Sequence, residues 1–266
     1  MTINITQKFL IKNDCYKAGR KITPKGIMVH STGANNPKLS RYIQPDDGVL
    51  GVNTNKNDWN QIGLDRCVHA FIGKDKNGNA KIYQTLPWNY RGWHGGGKSN
   101  DTHIGFEICE DGLTDPVYFA VVYKLAVELC VYLCKTFNLS INEIIGHYEG
   151  FQRGIASNHS DPKHWFSRHG KSMDTLRSDV KKEMEVVPVN FTDKVTVQNT
   201  AFWQAQVLVE EYQKRGFKCY INPVRSHETQ EDGFACPFVV ETNFQHANLV
   251  KMELETKGYS AVWETI

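Results

Sequence analysis

The sequence predicts an α/β domain with one sheet over residues 1–185, followed by a smaller α+β domain over residues 193–266. Three observations lead to this prediction. Short apolar segments alternate with helical patterns in the first part, a proline-containing stretch at 186–192 reads as a linker, and a β-α-β pattern is repeated after it. A chain of 266 residues is long enough for two domains of unequal size.

The clearest element of the first domain is a helix that begins after Asp115. Asp115 is a natural N-cap, Pro116 fits the first helical position, and the pattern ends near Phe137. Its charged residues fall on one stripe, which favours a buried core helix over a membrane span. We predict strands at 26–30, 67–72, 81–85, 103–109 and 143–146, and a second helix at 174–183.

The second domain contains an internal repeat. An aromatic residue, an alanine, a glycine and a second aromatic residue recur at one constant spacing, first as Phe202, Ala205, Gly216 and Phe217, then as Phe244, Ala247, Gly258 and Tyr259. Each copy reads as a strand, an amphipathic helix that ends at glycine, and a second strand. Two such copies predict a four-stranded sheet covered by two helices, the ferredoxin-like arrangement.

Composition and charge exclude several classes of protein. The chain has 40% hydrophobic and 23% charged residues, as ordinary globular proteins do, and its formal net charge of +2 provides no field for nucleic acid or anionic membranes. The amino terminus shows no signal-peptide pattern, so we expect the protein to be cytoplasmic. The 7 scattered cysteines do not resemble a disulfide framework and indicate a reducing compartment, with Cys130 and Cys134 as buried free thiols.

Metal-capable and titrating side chains concentrate in three places. His30 ends one apolar strand, Glu107 lies on another, and His147 ends a short apolar segment ahead of a stretch that contains His159 and Asp161. A histidine taken alone is more often a surface or core residue than a metal ligand. The joint arrangement favours a functional site.

These segments resemble the zinc-dependent N-acetylmuramoyl-L-alanine amidases, the type 2 amidase family that includes phage endolysins, autolysins and peptidoglycan recognition proteins. The resemblance covers about residues 20–170 and rests on motifs at 26–32, 67–70, 91–96, 104–108, 145–147 and 161–162. It implies a mixed central sheet flanked by helices, Zn²⁺ held by His30, His147 and Asp161, and hydrolysis of the amide bond between N-acetylmuramic acid and L-alanine. Two imidazoles and one carboxylate also leave a fourth zinc position for water.

The resemblance assigns roles to two more residues. Glu107 would take the proton of the attacking water and return it to the leaving amine, and His159 would stabilise the oxyanion. An alternative in which His159 replaces Asp161 as the metal ligand stays open, although the aspartate before proline matches the family better.

Aromatic residues around a glycine-rich stretch are expected to contact the substrate. Trp88, Trp93 and His94 would form the wall of a groove for the muropeptide. For His69, packing and substrate contact both remain open, and residues 164 and 169 are expected to be solvated histidines of a loop.

Residues 92–99 also satisfy the G-x-x-x-x-G-K-[ST] pattern of phosphate-binding loops. That chemistry needs a strand before the glycines and a helix after them. Here the following residues lead into a strand, so the pattern disfavours nucleotide binding.

The second domain resembles the SPOR-like repeats that bind peptidoglycan glycan strands, with a dimerisation or purely structural module as the alternative. The whole chain is therefore predicted to be a phage or prophage endolysin that stays in the host cytoplasm until it is released to the cell wall. A bacterial autolysin and a non-catalytic peptidoglycan-recognition module are the alternatives.

Overall fold

The computed structural model describes residues 3–185, 193–198, 200–222, 236–242 and 244–265. The chain divides into two compact units, Met1–Glu185 and Val186–Ile266. The linker predicted at 186–192 lies outside the described residues.

The first unit is built on one six-stranded sheet with the order β1-β4-β3-β5-β2-β6. Only β3 and β4 pair antiparallel within it, so the sheet is mixed, as expected. The strands are β1 (Ile5–Gln7), β2 (Gly26–Ser31), β3 (Ala70–Lys74), β4 (Ala80–Gln84), β5 (His103–Ile108) and β6 (Ile144–Gly146).

Five helices accompany this sheet: α1 (Asp14–Ala18), α2 (Pro116–Phe137), α3 (His147–Gln152), α4 (Lys163–Phe166) and α5 (Met173–Glu185). The side chain of Asp115 caps α2 by accepting hydrogen bonds from the N–H groups of Val117 and Tyr118. By length and hydropathy α2 could cross a membrane, yet 56% of its most apolar window is buried inside the protein. It packs in the main core with α5 and one face of the sheet, as predicted for a core helix.

Side chains alternate along the strands, so one face of the sheet packs in the α2 core and the other face carries residues of the candidate site. Ile27 and Val29 of β2 and Phe106 of β5 belong to the α2 core, so their neighbours point to the opposite face. His30 and Glu107 therefore project from the face that α2 does not cover. A second apolar cluster, which contains Phe71 and Tyr42, packs on that face.

Cys15 and Cys67 form a disulfide, with their Cα atoms 6.5 Å apart. This corrects the expectation that the cysteines are all reduced. The fold brings α1 beside the segment that precedes β3. The two cysteines are 52 residues apart in sequence, so no local sequence pattern predicts that they pair. The other five cysteines are free and buried, including Cys130 and Cys134.

The second unit has one antiparallel sheet with the strand order β10-β7-β9-β8, which is the ferredoxin-like order. Its elements are β7 (Asp193–Val197), α6 (Phe202–Lys214), β8 (Lys218–Ile221), β9 (Phe238–Thr242), α7 (Phe244–Thr256) and β10 (Ala261–Thr265). The repeated alanines, Ala205 and Ala247, are both fully buried in its core, whereas Phe202 is 55% exposed. The repeat therefore reflects packing at the alanines but not at Phe202.

Candidate metal centre and cleft

Three adjacent parallel strands end at the edge of the first sheet where the candidate site lies. β2 pairs with β5 on one side and β6 on the other, and His30 of β2 is in register with Glu107 of β5. His147 follows directly after β6. Because parallel strands share the direction of their carboxyl ends, side chains from distant motifs meet at this edge.

His30, His147 and Asp161 converge on one point, and all three are buried. The Nδ1 atom of His30 lies 3.0 Å from Oδ2 of Asp161 and 3.1 Å from Nδ1 of His147. Nδ1 of His147 lies 3.4 Å from Oδ1 of Asp161. Tetrahedral ligands about 2.1 Å from a zinc ion are separated by about 3.4 Å, so the spacing fits such an ion.

The charge state of these groups suits a divalent cation. Burial disfavours a charged Asp161, but contacts with His147 and His30 outweigh it and hold the pKa of its carboxyl well below the usual range. Burial lowers the pKa of His30, with the nearby Asp161 opposing the shift. A carboxylate and a neutral imidazole are the ionisation states that bind metals.

The structure groups Asp161, rather than His159, with the two histidines. His159 is exposed and lies beside the group, its ring centroid 4.7 Å from that of His147. It is close enough to reach a substrate held next to the metal-binding atoms.

Glu107 lines the same cleft from β5. Its Oε2 atom is buried and has no hydrogen-bond partner among the described residues. Burial, together with the negative charges of Asp161 and Glu110, raises the pKa of Glu107 well above its ordinary value. A carboxyl group with a raised pKa is suited to accept and return protons near neutral pH.

The cleft over these residues has a volume of about 550 Å³. Trp93 stands at its rim, 44% exposed, with the Arg91 guanidinium 4.9 Å from its ring centroid. Trp88, also predicted to form a wall of the groove, packs between His69 and Tyr132 instead. The lining residues are His30, Ser31, Thr32, Gly33, Trp59, Arg66, Val68, Trp93, His94, Gly96, Glu107, His147, Ser157, His159, Ser160, Asp161 and His164.

The ring nitrogens of His94 and His69 are engaged by the protein. Nδ1 of His94 lies 3.0 Å from Nε2 of His30, and its Nε2 lies 3.1 Å from the carbonyl oxygen of His103. His69 donates from Nε2 to the carbonyl oxygen of Tyr90 and accepts at Nδ1 from the N–H of Gly105. His69, which is fully buried, therefore has the packing role. A substrate contact by His94 stays a prediction.

Residues 19–164, more than half of the chain, match the N-acetylmuramoyl-L-alanine amidase family (Amidase_2). The chain belongs to this amidase family. The matched range contains the whole candidate site, from His30 to Asp161, and ends before the second unit.

Individual amidases show how far the similarity extends. The chain is 29% identical over 153 residues to the N-acetylmuramoyl-L-alanine amidase XlyA of Bacillus subtilis (strain 168), across 54% of this chain and 43% of XlyA. It is 27% identical over 180 residues to the amidase CwlH of the same organism, across 60% of this chain and 64% of CwlH. The solved catalytic domain of XlyA has 24% identity and a TM-score of 0.48, with 67% of this chain and 99% of that domain covered.

In this amidase-family chain, an ion pair fixes the junction between β6 and α3, where His147 lies. Arg177 of α5 forms two hydrogen bonds of 3.0 Å with the Glu149 carboxylate and one of 2.9 Å with the carbonyl oxygen of Ile144. Glu149 also accepts from the N–H of Gly146, the last residue of β6. Paired, charge-assisted hydrogen bonds of this kind set the direction in which the chain leaves the strand.

Two histidines expected to be solvated have defined partners in the structure. Nε2 of His164, which lines the cleft, lies 2.9 Å from Oε1 of the buried Glu110. The ring of His169 stacks on Phe119 with centroids 4.0 Å apart. The expectation was wrong because both partners are distant in sequence, so no local pattern marks the contact.

The glycine string at 92–99 lies against the metal centre. After Gly97 the chain makes one short 3₁₀ turn, Lys98–Asp101, and then enters β5. This is not the long helix that a phosphate-binding loop requires. The string supplies Trp93, His94 and Gly96 to the cleft instead.

Proposed function

We propose that this protein is a zinc-dependent peptidoglycan hydrolase that cleaves the amide bond between N-acetylmuramic acid and L-alanine of the stem peptide. One observation carries the proposal: the metal-binding atoms of His30, His147 and Asp161 lie 3.0–3.4 Å apart at a cleft that also holds an unpaired carboxyl oxygen of Glu107. Family membership supports the bond that is cut.

The proposed zinc ligands are the two Nδ1 atoms and the Asp161 carboxylate. A bound Zn²⁺ would polarise the amide carbonyl and lower the pKa of water at the site. The protein contributes two buried imidazoles and one buried carboxylate at a spacing that fits the ion, so little rearrangement is needed to hold it.

Glu107 is the proposed proton carrier. Glu107 lines the cleft and its Oε2 has no hydrogen-bond partner among the described residues, so its carboxyl group can accept a proton from the attacking water and deliver it to the nitrogen of the departing L-alanine. His159 is exposed, lies next to His147 and can donate a hydrogen bond to the developing oxyanion.

Trp93 is the proposed substrate contact at the rim. The ring of Trp93 is 44% exposed and lines the cleft beside the catalytic groups, and it is supported by the Arg91 guanidinium, which is paired with Asp101. Sugar rings and peptide groups of a muropeptide pack on aromatic surfaces of this kind.

The second unit is proposed to bind the cell wall, because its internal repeat resembles the SPOR-like repeats. Phe202 and Trp203 at the start of α6 are 55% and 65% exposed, which leaves aromatic surface for a ligand or for a second copy. Full-length protein carrying Glu107→Gln should sediment with purified walls, and adding Trp203→Ser should reduce this binding. If the second change leaves wall binding intact but abolishes a dimer seen by light scattering, the unit is a dimerisation module.

We further propose that the protein is a phage or prophage endolysin that acts at the host peptidoglycan after release from the cytoplasm. The disulfide is compatible with this route if it forms on release, because disulfides persist in oxidising surroundings. Expression in cells without phage lysis genes tests the proposal. Retention inside those cells is expected, and secretion would identify an autolysin.

The deciding experiment measures new amino termini on purified walls. With zinc present, wild-type protein should release N-terminal L-alanine, and a chelator should abolish the release until zinc is returned. Wall binding without alanine release would instead identify a recognition module. Lys98→Ala serves as the control for the glycine string, since only a nucleotide-dependent reaction would need that side chain.

A further inference from the structure

The two histidines of the metal centre each have an outer ring nitrogen, Nε2, that points away from Asp161. Nε2 of His30 lies 3.0 Å from Nδ1 of His94, and Nε2 of His147 lies 3.1 Å from Oγ of Ser157. The partner of each outer nitrogen decides which ring nitrogen carries the hydrogen.

For His30, the position of the ring hydrogen follows from a backbone carbonyl group next to His94. The carbonyl oxygen of His103 can only accept, so the hydrogen of a neutral His94 must sit on Nε2, 3.1 Å away. Nδ1 of His94 is then an acceptor, and the hydrogen between the two rings must come from Nε2 of His30. Nδ1 of His30 is left with a free lone pair directed at the metal centre.

For His147, the position of the ring hydrogen follows from the backbone carbonyl group of Gly95. The Ser157 hydroxyl lies 3.2 Å from the carbonyl oxygen of Gly95 and donates its hydrogen there. Its oxygen therefore accepts from Nε2 of His147 at 3.1 Å. Nδ1 of His147 is also left with a free lone pair.

Both chains of hydrogen bonds involve the glycine string, through the ring of His94 in one and the carbonyl oxygen of Gly95 in the other. The N–H groups of His94 and Gly95 both donate to Oδ1 of the fully buried Asn100, at 2.9 and 2.8 Å. Space for the His94 ring exists because residue 105 is glycine, where a Cβ atom would lie 2.4 Å from Nδ1 of His94. The segment is thus held rigidly behind the metal centre.

We propose that His94 and Ser157 are positioning residues that keep the hydrogen of each ligand histidine on Nε2, so that both Nδ1 atoms face the metal as lone-pair donors. The inference rests on the proposed function, because it assumes that this centre binds zinc. Residues 92–99 then help to orient the zinc ligands, a role that their phosphate-loop pattern did not predict.

The first test is zinc affinity, measured on full-length protein by competition with a chromophoric chelator. His94→Phe keeps the ring volume but removes the acceptor and should weaken zinc binding about 10- to 100-fold, as should Ser157→Ala. His94→Asn places an amide oxygen near the position of Nδ1 and should restore most of the affinity. His169→Phe is the matched control, because that histidine contacts Phe119 and Trp165 rather than a ligand histidine.

The second test is the hydrogen position itself, read from long-range ¹H–¹⁵N spectra of histidine rings in the zinc-loaded wild type. Both ligand histidines should carry hydrogen on Nε2, and His94→Phe should speed exchange of the His30 hydrogen only. Binding through Nε2 of either ligand in the wild type overturns the inference, even if the variants fail to fold. Unchanged zinc affinity in folded His94→Phe also overturns it, whereas a wild type that binds no zinc refutes the proposed function.

Discussion

Glu107 and His30 are direct neighbours on adjacent parallel strands, because β5 and β2 are in register at this pair. The register places the proposed base and a proposed metal ligand on the same face of the sheet without help from any loop. Side chains that project from paired strands are held more precisely than side chains on loops. The central sheet therefore sets the position of Glu107 relative to His30, whereas His147 and Asp161 are supplied by the segment after β6.

Replacing Glu107 with glutamine should stop catalysis without removing the metal. The amide keeps the size of the carboxyl group but cannot accept a proton, so we expect kcat to fall about 10²- to 10⁴-fold. Release of N-terminal L-alanine measures the rate, and elemental analysis measures zinc content. Glu128→Gln on α2 is the control, and an active Glu107→Gln enzyme would remove Glu107 from the mechanism.

Asp161 and His159 are distinguished by what their loss does to zinc. Asp161→Ala removes one of the three converging donors, so the protein should lose its metal. His159→Ala should retain zinc and lose about 10²- to 10³-fold in kcat, the usual effect of removing one oxyanion donor. The reverse pattern, with zinc lost only from His159→Ala, would restore the alternative ligand set.

Much of the candidate site could be predicted from sequence because its residues lie in motifs that resemble those of the amidase family. His30 and His147 also end apolar segments, so motif and strand pattern coincide there, whereas Asp161 before proline was indicated by the resemblance alone. Local signals likewise predicted α2 and the repeated alanines of the second unit. The partners of Cys15 and His164 could not be predicted, because each contact joins distant segments and depends on the finished fold.

The hydrogen bonds behind the ligands had no sequence signal either. His94 stands in a glycine-rich stretch that suggests a groove wall, and Ser157 is an ordinary loop serine in the sequence. Their orientation depends on Asn100 and on the missing side chain of Gly105, which only the packed structure brings together.

His69 should make the protein less stable in acid. Burial lowers its pKa from the ordinary 6.5 to about 4. Below pH 6.5 the unfolded chain binds a proton that the folded protein does not, so the stability contributed by neutral His69 is present above this pH and falls as pH drops to about 4. The loss amounts to about 3 kcal/mol from this residue.

Urea unfolding at pH 7 and pH 4.5 measures this contribution. His69→Gln cannot titrate but can still donate towards the carbonyl oxygen of Tyr90, so its free energy of unfolding should change less with pH than that of the wild type. Burial, with a further effect of nearby His30 and His69, lowers the pKa of His94, so the pH dependence that His94 contributes also decreases in the variant, in the same direction. Buried histidines that do not interact with His69 contribute equally to both proteins and cancel in the comparison. Identical pH dependence in the two proteins would contradict the buried, neutral state of His69.

The Cys15–Cys67 disulfide should stabilise the protein only in oxidising surroundings. It closes a loop between positions 52 residues apart, and a loop of this size is worth about 4 kcal/mol of unfolding free energy. Cys67 also pairs with Trp93 through two backbone hydrogen bonds of 3.1 Å, so the bond tethers the cleft rim. Dithiothreitol should therefore lower wild-type stability to that of Cys15→Ala/Cys67→Ala and leave the double variant unchanged. Mass spectrometry of the oxidised protein provides the independent check, because seven alkylated cysteines under denaturing conditions without reductant would show that the bond does not form.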